Sequence, residues 1–219
     1  MTDVLDAVFD PIDVDTAGHV LGSITVGAQT HAAISVNGTA YDLGTLDGID
    51  ATTTPVAINR RGQVVGIQYD AAAPGGRGFV WTPDAPNGTT GTMQPVMDAA
   101  ARELIPLDIS DVGRILGYQA TGTGVVVSDC DGSFEIPLPI SGTLANPRAL
   151  NDYGQIVGEV YDANNIPHVL LWTPSAPNGC VGSSVLLDPA AAGGSYASGL
   201  NDFGQVVLNG NDRRARLWT

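Results

Sequence analysis

A nine-residue pattern recurs five times in this chain, and the glycine at its fifth position sets a common register. The copies run from Val14 to Gly22, Ile58 to Gly66, Ile109 to Gly117, Leu150 to Gly158 and Leu200 to Leu208. Their turn glycines, Gly18, Gly62, Gly113, Gly154 and Gly204, lie 44, 51, 41 and 50 residues apart. Self-similarity at such a period marks a repeat architecture, in which each unit buries its apolar face against its neighbours.

Each copy opens with a short strand ending in Ile, Leu or Val. A polar turn follows, Asn-Asp-x-Gly in two copies and Asn59-Arg60-Arg61-Gly62 in another. Asn and Asp hydrogen-bond their own backbone in such turns, and Gly accepts positive φ. An apolar, β-branched second strand comes next. Third strands are expected at His31–Ser35, Arg77–Trp81, Gly124–Ser128, His168–Trp172 and Arg214–Trp218. Asn37-Gly38 and Asp131-Gly132 then signal tight hairpins. Repeats two and four instead share a longer turn, with Trp81–Gly88 matching Trp172–Gly179 at seven of eight positions. Fourth strands are expected at Tyr41–Leu46, Gln94–Met97, Phe134–Leu138 and Ser184–Leu187, and Ala99–Leu104 has room for one helical turn at most.

Four antiparallel strands per repeat, arranged radially, leave few exposed sheet edges. The fifth repeat stops after its third strand, and Thr2–Asp6 resembles Ser184–Asp188. The expectation is therefore an all-β, five-bladed β-propeller of four-stranded antiparallel blades, its last blade completed by the N-terminal strand. It is read as one domain, 1–219, with repeats at about 8–46, 52–97, 103–138, 144–187 and 194–219 plus 2–6.

The pattern resembles the HAF-type bacterial repeats, approximately Ala-Ile-Asn-x-x-Gly-Gln-Val-Val-Gly followed after a loop by His-Ala-Phe-Leu-Trp. Ala57–Gly66 and Ala149–Gly158 match the first half closely, and His168–Trp172 and Arg77–Trp81 match the second more loosely. Repeats one and three depart furthest. The resemblance spans essentially the whole chain and implies a β-propeller-like fold, often extracellular, with no catalytic residues to carry over.

The net charge is −14, with nine basic residues and no basic run. Phosphate backbones are bound by Lys and Arg, so nucleic acid and anionic membranes are not expected partners. A neutral or cationic ligand suits this charge, which also keeps a β-rich surface soluble and monomeric. The start, Met1–Asp6, is acidic where a signal peptide would be basic, so a cytoplasmic location is expected, with a secreted mature domain as the alternative. Cys130 and Cys180 fall in loops of neighbouring repeats and are read as two free thiols, a single bridge being the alternative.

In a propeller the first strands line the axis, and ligands meet the loops that enter them. Proline recurs there in four repeats (Pro11, Pro55, Pro106, Pro147), fixing the entry angle. Around it the repeats diverge. Asp13 and Asp108 stand where others have Ala or Gly, Arg148 where three others have Ile, Val or Leu, and Tyr196 shares a slot with Asp10, Thr54, Ile105 and Asn146. Charges near a crowded axis need partners, so Arg148 with Asp108 or Asp13 reads as a structural pair or a polar pocket. Tyr69, Tyr118 and Tyr161, near Asp70, Gln119 and Asp162, could stack on sugars or pack on blade edges. The three histidines lie in different repeats, and no metal or cofactor is expected.

The function expected is small-molecule binding in one asymmetric axial pocket. Its enzymatic form is a cofactor-independent isomerase, cyclase or hydrolase with Asp13, Asp108 and Glu103 as acid/base groups. Ligand contacts would come from Asp10, Asn146, Arg148, Tyr196, Tyr69, Tyr118 and Tyr161. The alternatives are a lectin-like carbohydrate-binding module with repeated Tyr-Asp mouths and a protein-interaction scaffold.

Overall fold

The computed structural model describes residues 9–97, 101–119, 125–127, 144–187 and 193–219. Its strands form antiparallel sheets arranged as a β-propeller, one sheet for each repeat. In the first repeat these are β1 (Asp10–Val14), β2 (Val20–Val26), β3 (Gln29–Val36) and β4 (Thr39–Asp42). The second holds β5 (Thr52–Ile58), β6 (Val64–Tyr69), β7 (Arg77–Pro83) and β8 (Gly91–Pro95). The third holds β9 (Leu104–Ile109), β10 (Ile115–Gln119) and β11 (Val125–Val127). The fourth holds β12 (Leu144–Leu150), β13 (Ile156–Tyr161), β14 (Pro167–Pro174) and β15 (Gly182–Leu186), and the fifth β16 (Ser195–Leu200), β17 (Val206–Gly210) and β18 (Ala215–Trp218). Each sheet is a meander in chain order. No helix among the described residues is long and apolar enough to cross a membrane.

The local signals translate directly. Asn37 and Gly38 both take positive φ, 51° and 83°, closing the β3–β4 hairpin as a two-residue turn requires. The expected strand to Leu46 ends early, at Asp42. The Asp42 carboxylate accepts from the Gly44 N–H at 2.8 Å, the chain turns, and Leu46 enters a short 3-10 turn, Leu46–Gly48, with its side chain buried. At Arg102–Leu104 the chain is extended, leading into β9, and makes no helical turn. The expected hairpin at Asp131-Gly132, the strand at Phe134–Leu138 and the N-terminal strand at 2–6 lie outside the described residues.

Alternation along the second and third strands sends successive side chains to opposite sheet faces. One face meets the preceding repeat and the other the following one. Leu21 and Ile34 pack against Val64, Phe79 and Trp81 of the second repeat. Val65 packs on Leu104, Ile109 and Ile115, and Val157, Val169 and Leu171 on Ala197, Val206 and Leu208. The core is thus a series of apolar seams between neighbouring sheets, so no sheet is stable alone.

A β-bulge sits at the same place in every inner strand, leaving Ile12, Val56, Leu107, Arg148 and Ser198 as the extra residues. Just before it, Pro11, Pro55, Pro106 and Pro147 lie opposite Gly22, Gly66, Gly117 and Gly158. The bulge brings an inner-strand carbonyl over that glycine: a Cβ on Gly117 would sit 2.6 Å from the Ile105 oxygen. In the fifth repeat both partners change together, to Ala197 opposite Leu208.

The turns after the inner strands carry a second repeated device. In repeat two, Asn59 Oδ1 accepts from the N–H groups of Arg61 and Gln63, and its Nδ2 donates to Gln63 Oε1 at 2.9 Å. Asn151 with Gln155 and Asn201 with Gln205 repeat the pair at 2.7 and 2.8 Å. Repeat one substitutes an acid and a base, Asp15 and His19, 2.9 Å apart with the Asp15 side chain fully buried. Asp15 still accepts from the Ala17 and His19 N–H groups. Asp15→Asn combined with His19→Gln recreates the amide pair and is expected to hold stability within about 0.5 kcal/mol. Asp15→Ala strands two backbone donors and is expected to cost about 2 kcal/mol. Urea unfolding of the two variants checks both values.

Candidate functional site

A cavity of about 210 Å³ opens where these turns converge. Its floor is Ile58, Ile109, Leu150 and Leu200, the last residues of four inner strands. Above them stand Asn59, Ser110, Asn151 and Asn201, and at the rim Asp111, Asp152 and Asp202. Repeats two to five each contribute an equivalent apolar residue and an equivalent polar one.

Neighbouring turns are stitched together by backbone-to-side-chain bonds. The Arg60 N–H donates to Asp111 Oδ1 and the Asp111 N–H to Asp152 Oδ1, both at 2.6 Å, and the Asp152 N–H to Asp202 Oδ1 at 3.0 Å. Asn59 Nδ2 reaches the Ser110 carbonyl at 2.9 Å, and Asn151 Nδ2 the Asn201 carbonyl at 3.0 Å. Repeat two has Arg60 at the position of these aspartates. Its guanidinium donates through Nε to Asp111 and through Nη2 to Asp152 at 2.6 Å. One arginine therefore bridges two of the aspartates that line the cavity.

The two carboxyls it bridges are pushed apart in acidity. Burial raises both, but at Asp111 the Arg60 N–H and guanidinium outweigh it, and the net shift is downward. At Asp152 burial prevails, reinforced by the neighbouring Asp111 carboxylate, and the net shift is upward. Arg60 itself is raised by its bonds to Asp111 and Asp152. A carboxylate and a more readily protonated carboxyl beside a cavity can together accept and donate hydrogen bonds to one ligand.

None of the residues singled out from the sequence lines this cavity. Asp13 and Asp108 cross between repeats: Asp13 Oδ2 accepts from the Ile58 N–H at 3.2 Å and Asp108 Oδ2 from the Leu150 N–H at 2.8 Å. Each also accepts from the next residue's N–H at 2.8 Å. These bonds brace the cavity floor from below. Glu103 pairs with Arg77 of the second repeat at 2.9 Å, a link between sheets.

Arg148 does not pair with Asp108 or Asp13. As the bulged residue of β12 it reaches Glu159 on β13 at 3.2 Å, and the fully buried Glu159 also accepts from the Ala197 N–H at 3.0 Å. Asp10, Tyr69, Tyr118, Asn146, Tyr161 and Tyr196 gather at the opposite end of the inner strands. Thr52 pairs with Tyr69, Ile105 with Tyr118 and Asn209 with Tyr196, and Asn146 Nδ2 lies 3.4 Å from the Tyr161 hydroxyl. A strand of six or seven residues at roughly 3.3 Å each separates the two ends by about 20 Å. The sequence signal for the cavity was the aspartate after Ser110, Asn151 and Asn201, which the turn itself does not need, broken by Arg60.

The free-thiol expectation is corrected for Cys180, which is disulfide-bonded, and among the described residues no cysteine is free. The chain's one other cysteine, Cys130, lies outside the described residues. No protein-family model and no curated protein matches this chain.

Burial pushes Asp108 from 3.8 up to about 6, against the Leu150 and Ile109 N–H bonds, with the Asp13 charge adding to the rise. The raised value favours the protonated fold. Its contribution is full below about pH 4 and is lost as pH rises through about 6, at most ~3 kcal/mol for a shift of about two units. Asp108→Asn removes the charge and leaves one acceptor oxygen for the Leu150 and Ile109 N–H groups. Its stability relative to the parent is expected to rise by about 1–3 kcal/mol from pH 4 to pH 7, as read from urea unfolding at both pH values.

Proposed function

We propose that this chain is a small-molecule-binding β-propeller whose ligand sits in the cavity formed by the turns of repeats two to five. The observation that carries this reading is the asymmetry around the cavity: three aspartates line it, and Arg60 bridges two of them. Three acids against one base suit a neutral hydroxyl-bearing or cationic ligand. In its enzymatic form Asp152 is the proton-holding group and Asp111 the carboxylate, roles the sequence had suggested for Asp13, Asp108 and Glu103.

The same reading holds the ring to be one five-bladed domain of HAF-type repeats, a monomer, with residues 2–6 as the fourth strand of the last blade. The support is the last sheet's free edge, where β18 has no fourth strand among the described residues. Of the two compartments considered, the disulfide favours an oxidising one outside the cytoplasm.

A lectin-like second reading draws on Tyr69, Tyr118 and Tyr196, each more than a third exposed at the far end of the strands. A thermal-shift panel of small amines and polyols separates the two. The expected result is a stabilising compound whose effect is lost in Arg60→Ala and Asp152→Ala and kept in Tyr69→Ala and Tyr196→Ala. The reverse pattern moves the site to the tyrosine face. Deleting residues 2–6 is expected to lower the melting temperature by several degrees, and an unchanged value sinks the five-bladed ring.

A further inference from the structure

We propose that the turn tips of repeats three to five form a docking surface for a protein partner, and that Asp202 with Phe203 receives from it an arginine flanked by apolar side chains. The surface lies apart from the small-molecule proposal and needs no ligand in the cavity. It is built from the residue before each turn glycine. Repeats one and two have Ala17 and Arg61 at this position, and repeats three, four and five have Val112, Tyr153 and Phe203. These three are 43%, 41% and 89% exposed. The turn does not require them, since it forms equally with a small or a charged residue there. Large apolar side chains gathered on a surface mark an interaction site.

The three tips are neighbours. The Asp111 N–H donates to Asp152 and the Asp152 N–H to Asp202, at 2.6 and 3.0 Å. The residue after each aspartate therefore belongs to a turn bonded directly to the next. The tips are also held in place. The N–H groups of Tyr153 and Phe203 donate to Asn151 Oδ1 and Asn201 Oδ1 at 3.2 and 3.1 Å. Gly204 lies against repeat four, where a Cβ on it would stand 3.0 Å from Gln155 Oε1. An aromatic anchor on a fixed backbone loses little freedom when a partner covers it.

Charge selects the partner. Arg60 takes the Oδ2 atoms of Asp111 and Asp152. Asp202 is exposed, accepts from the Asp152 N–H through Oδ1, and has no cationic partner among the described residues. Phe203, the most exposed large apolar side chain among the described residues, thus follows directly on the one aspartate of the three that no arginine neutralises. A guanidinium can fork onto a carboxylate and lay its plane on a neighbouring phenyl ring, and an ammonium has no such plane. Tyr153 and Val112, further along the same arc, suit apolar neighbours of that arginine. The net charge of −14 draws a basic segment in and repels an acidic one.

The test selects a phage-displayed library of random heptapeptides on the immobilised whole chain. The most enriched peptide is then synthesised and its Kd measured by fluorescence anisotropy. Arginine beside a leucine, isoleucine or aromatic residue is expected to be enriched. The Kd is expected to rise about tenfold or more in Phe203→Ser and in Asp202→Asn, which keeps an acceptor for the Asp152 N–H. It is expected to stay within about twofold in Tyr196→Ala, at the far end of the strands. Both changed side chains of the turn are exposed, so their variants are expected to keep the parent's melting temperature. Phe203→Ser is expected to leave the amine and polyol panel unchanged, so the surface and the cavity fail separately. No enrichment, enriched peptides without arginine, or binding indifferent to Phe203→Ser overturns the docking surface. Self-association of the parent in sedimentation, abolished by Phe203→Ser, overturns the partner and gives the surface to a second copy.

Discussion

The inner strands of this propeller end at a crowded axis, where turn N–H groups have no further strand to pair with, and the structure depends on how they are satisfied. Buried backbone donors without partners are costly. Asn59, Asn151 and Asn201 answer the need inside their own turns, each Oδ1 collecting two N–H groups. Asp111, Asp152 and Asp202 answer it between turns, each carboxylate collecting the N–H of the preceding repeat. The first set shapes a single turn. The second sets the spacing of neighbouring sheets, and the apolar seams close at that spacing.

That division explains what could be read from the sequence. The turn glycines, the strands and the Asn37-Gly38 hairpin depend on neighbours a few residues away, and they were legible. So was the recurrent proline, whose partner glycine faces it across one strand pair. The lateral ladder was not legible as a site, because Asp111 and Asp152 meet only when two repeats are placed side by side. Arg148 was misjudged for a related reason. Its charge stood out in the alignment of repeats, but the bulge gives it Glu159 as a partner and leaves Asp108 to the Leu150 N–H.

Asp13 and Asp108 show how a functional-looking residue can be structural. Both follow the bulge, in repeats one and three, and each braces the inner strand of the next repeat. Ala57 and Ala149 occupy the same position in repeats two and four. The next repeat is braced there by other groups: on β13, the Glu159 carboxylate takes the Ala197 N–H. Repeats three and four thus hold the next sheet differently, one through Asp108 on its inner strand and the other through Glu159 on its second.

A uniform ring would have been less stable at the rim. An aspartate in every repeat would place like charges around one axis, and their mutual repulsion in a partly desolvated site would oppose closure. This chain has Thr16 and Arg60 at two of the positions, and Arg60 neutralises part of the charge of the remaining three through Asp111 and Asp152. The bridging guanidinium also removes the equivalence of the repeats, because it pairs with Asp111 and Asp152 while Asp202 lines the cavity from the far repeat. An apolar floor shared by four repeats cannot orient a ligand, because every quarter of it looks alike. The rim can, since Arg60 distinguishes one direction across the axis from the others.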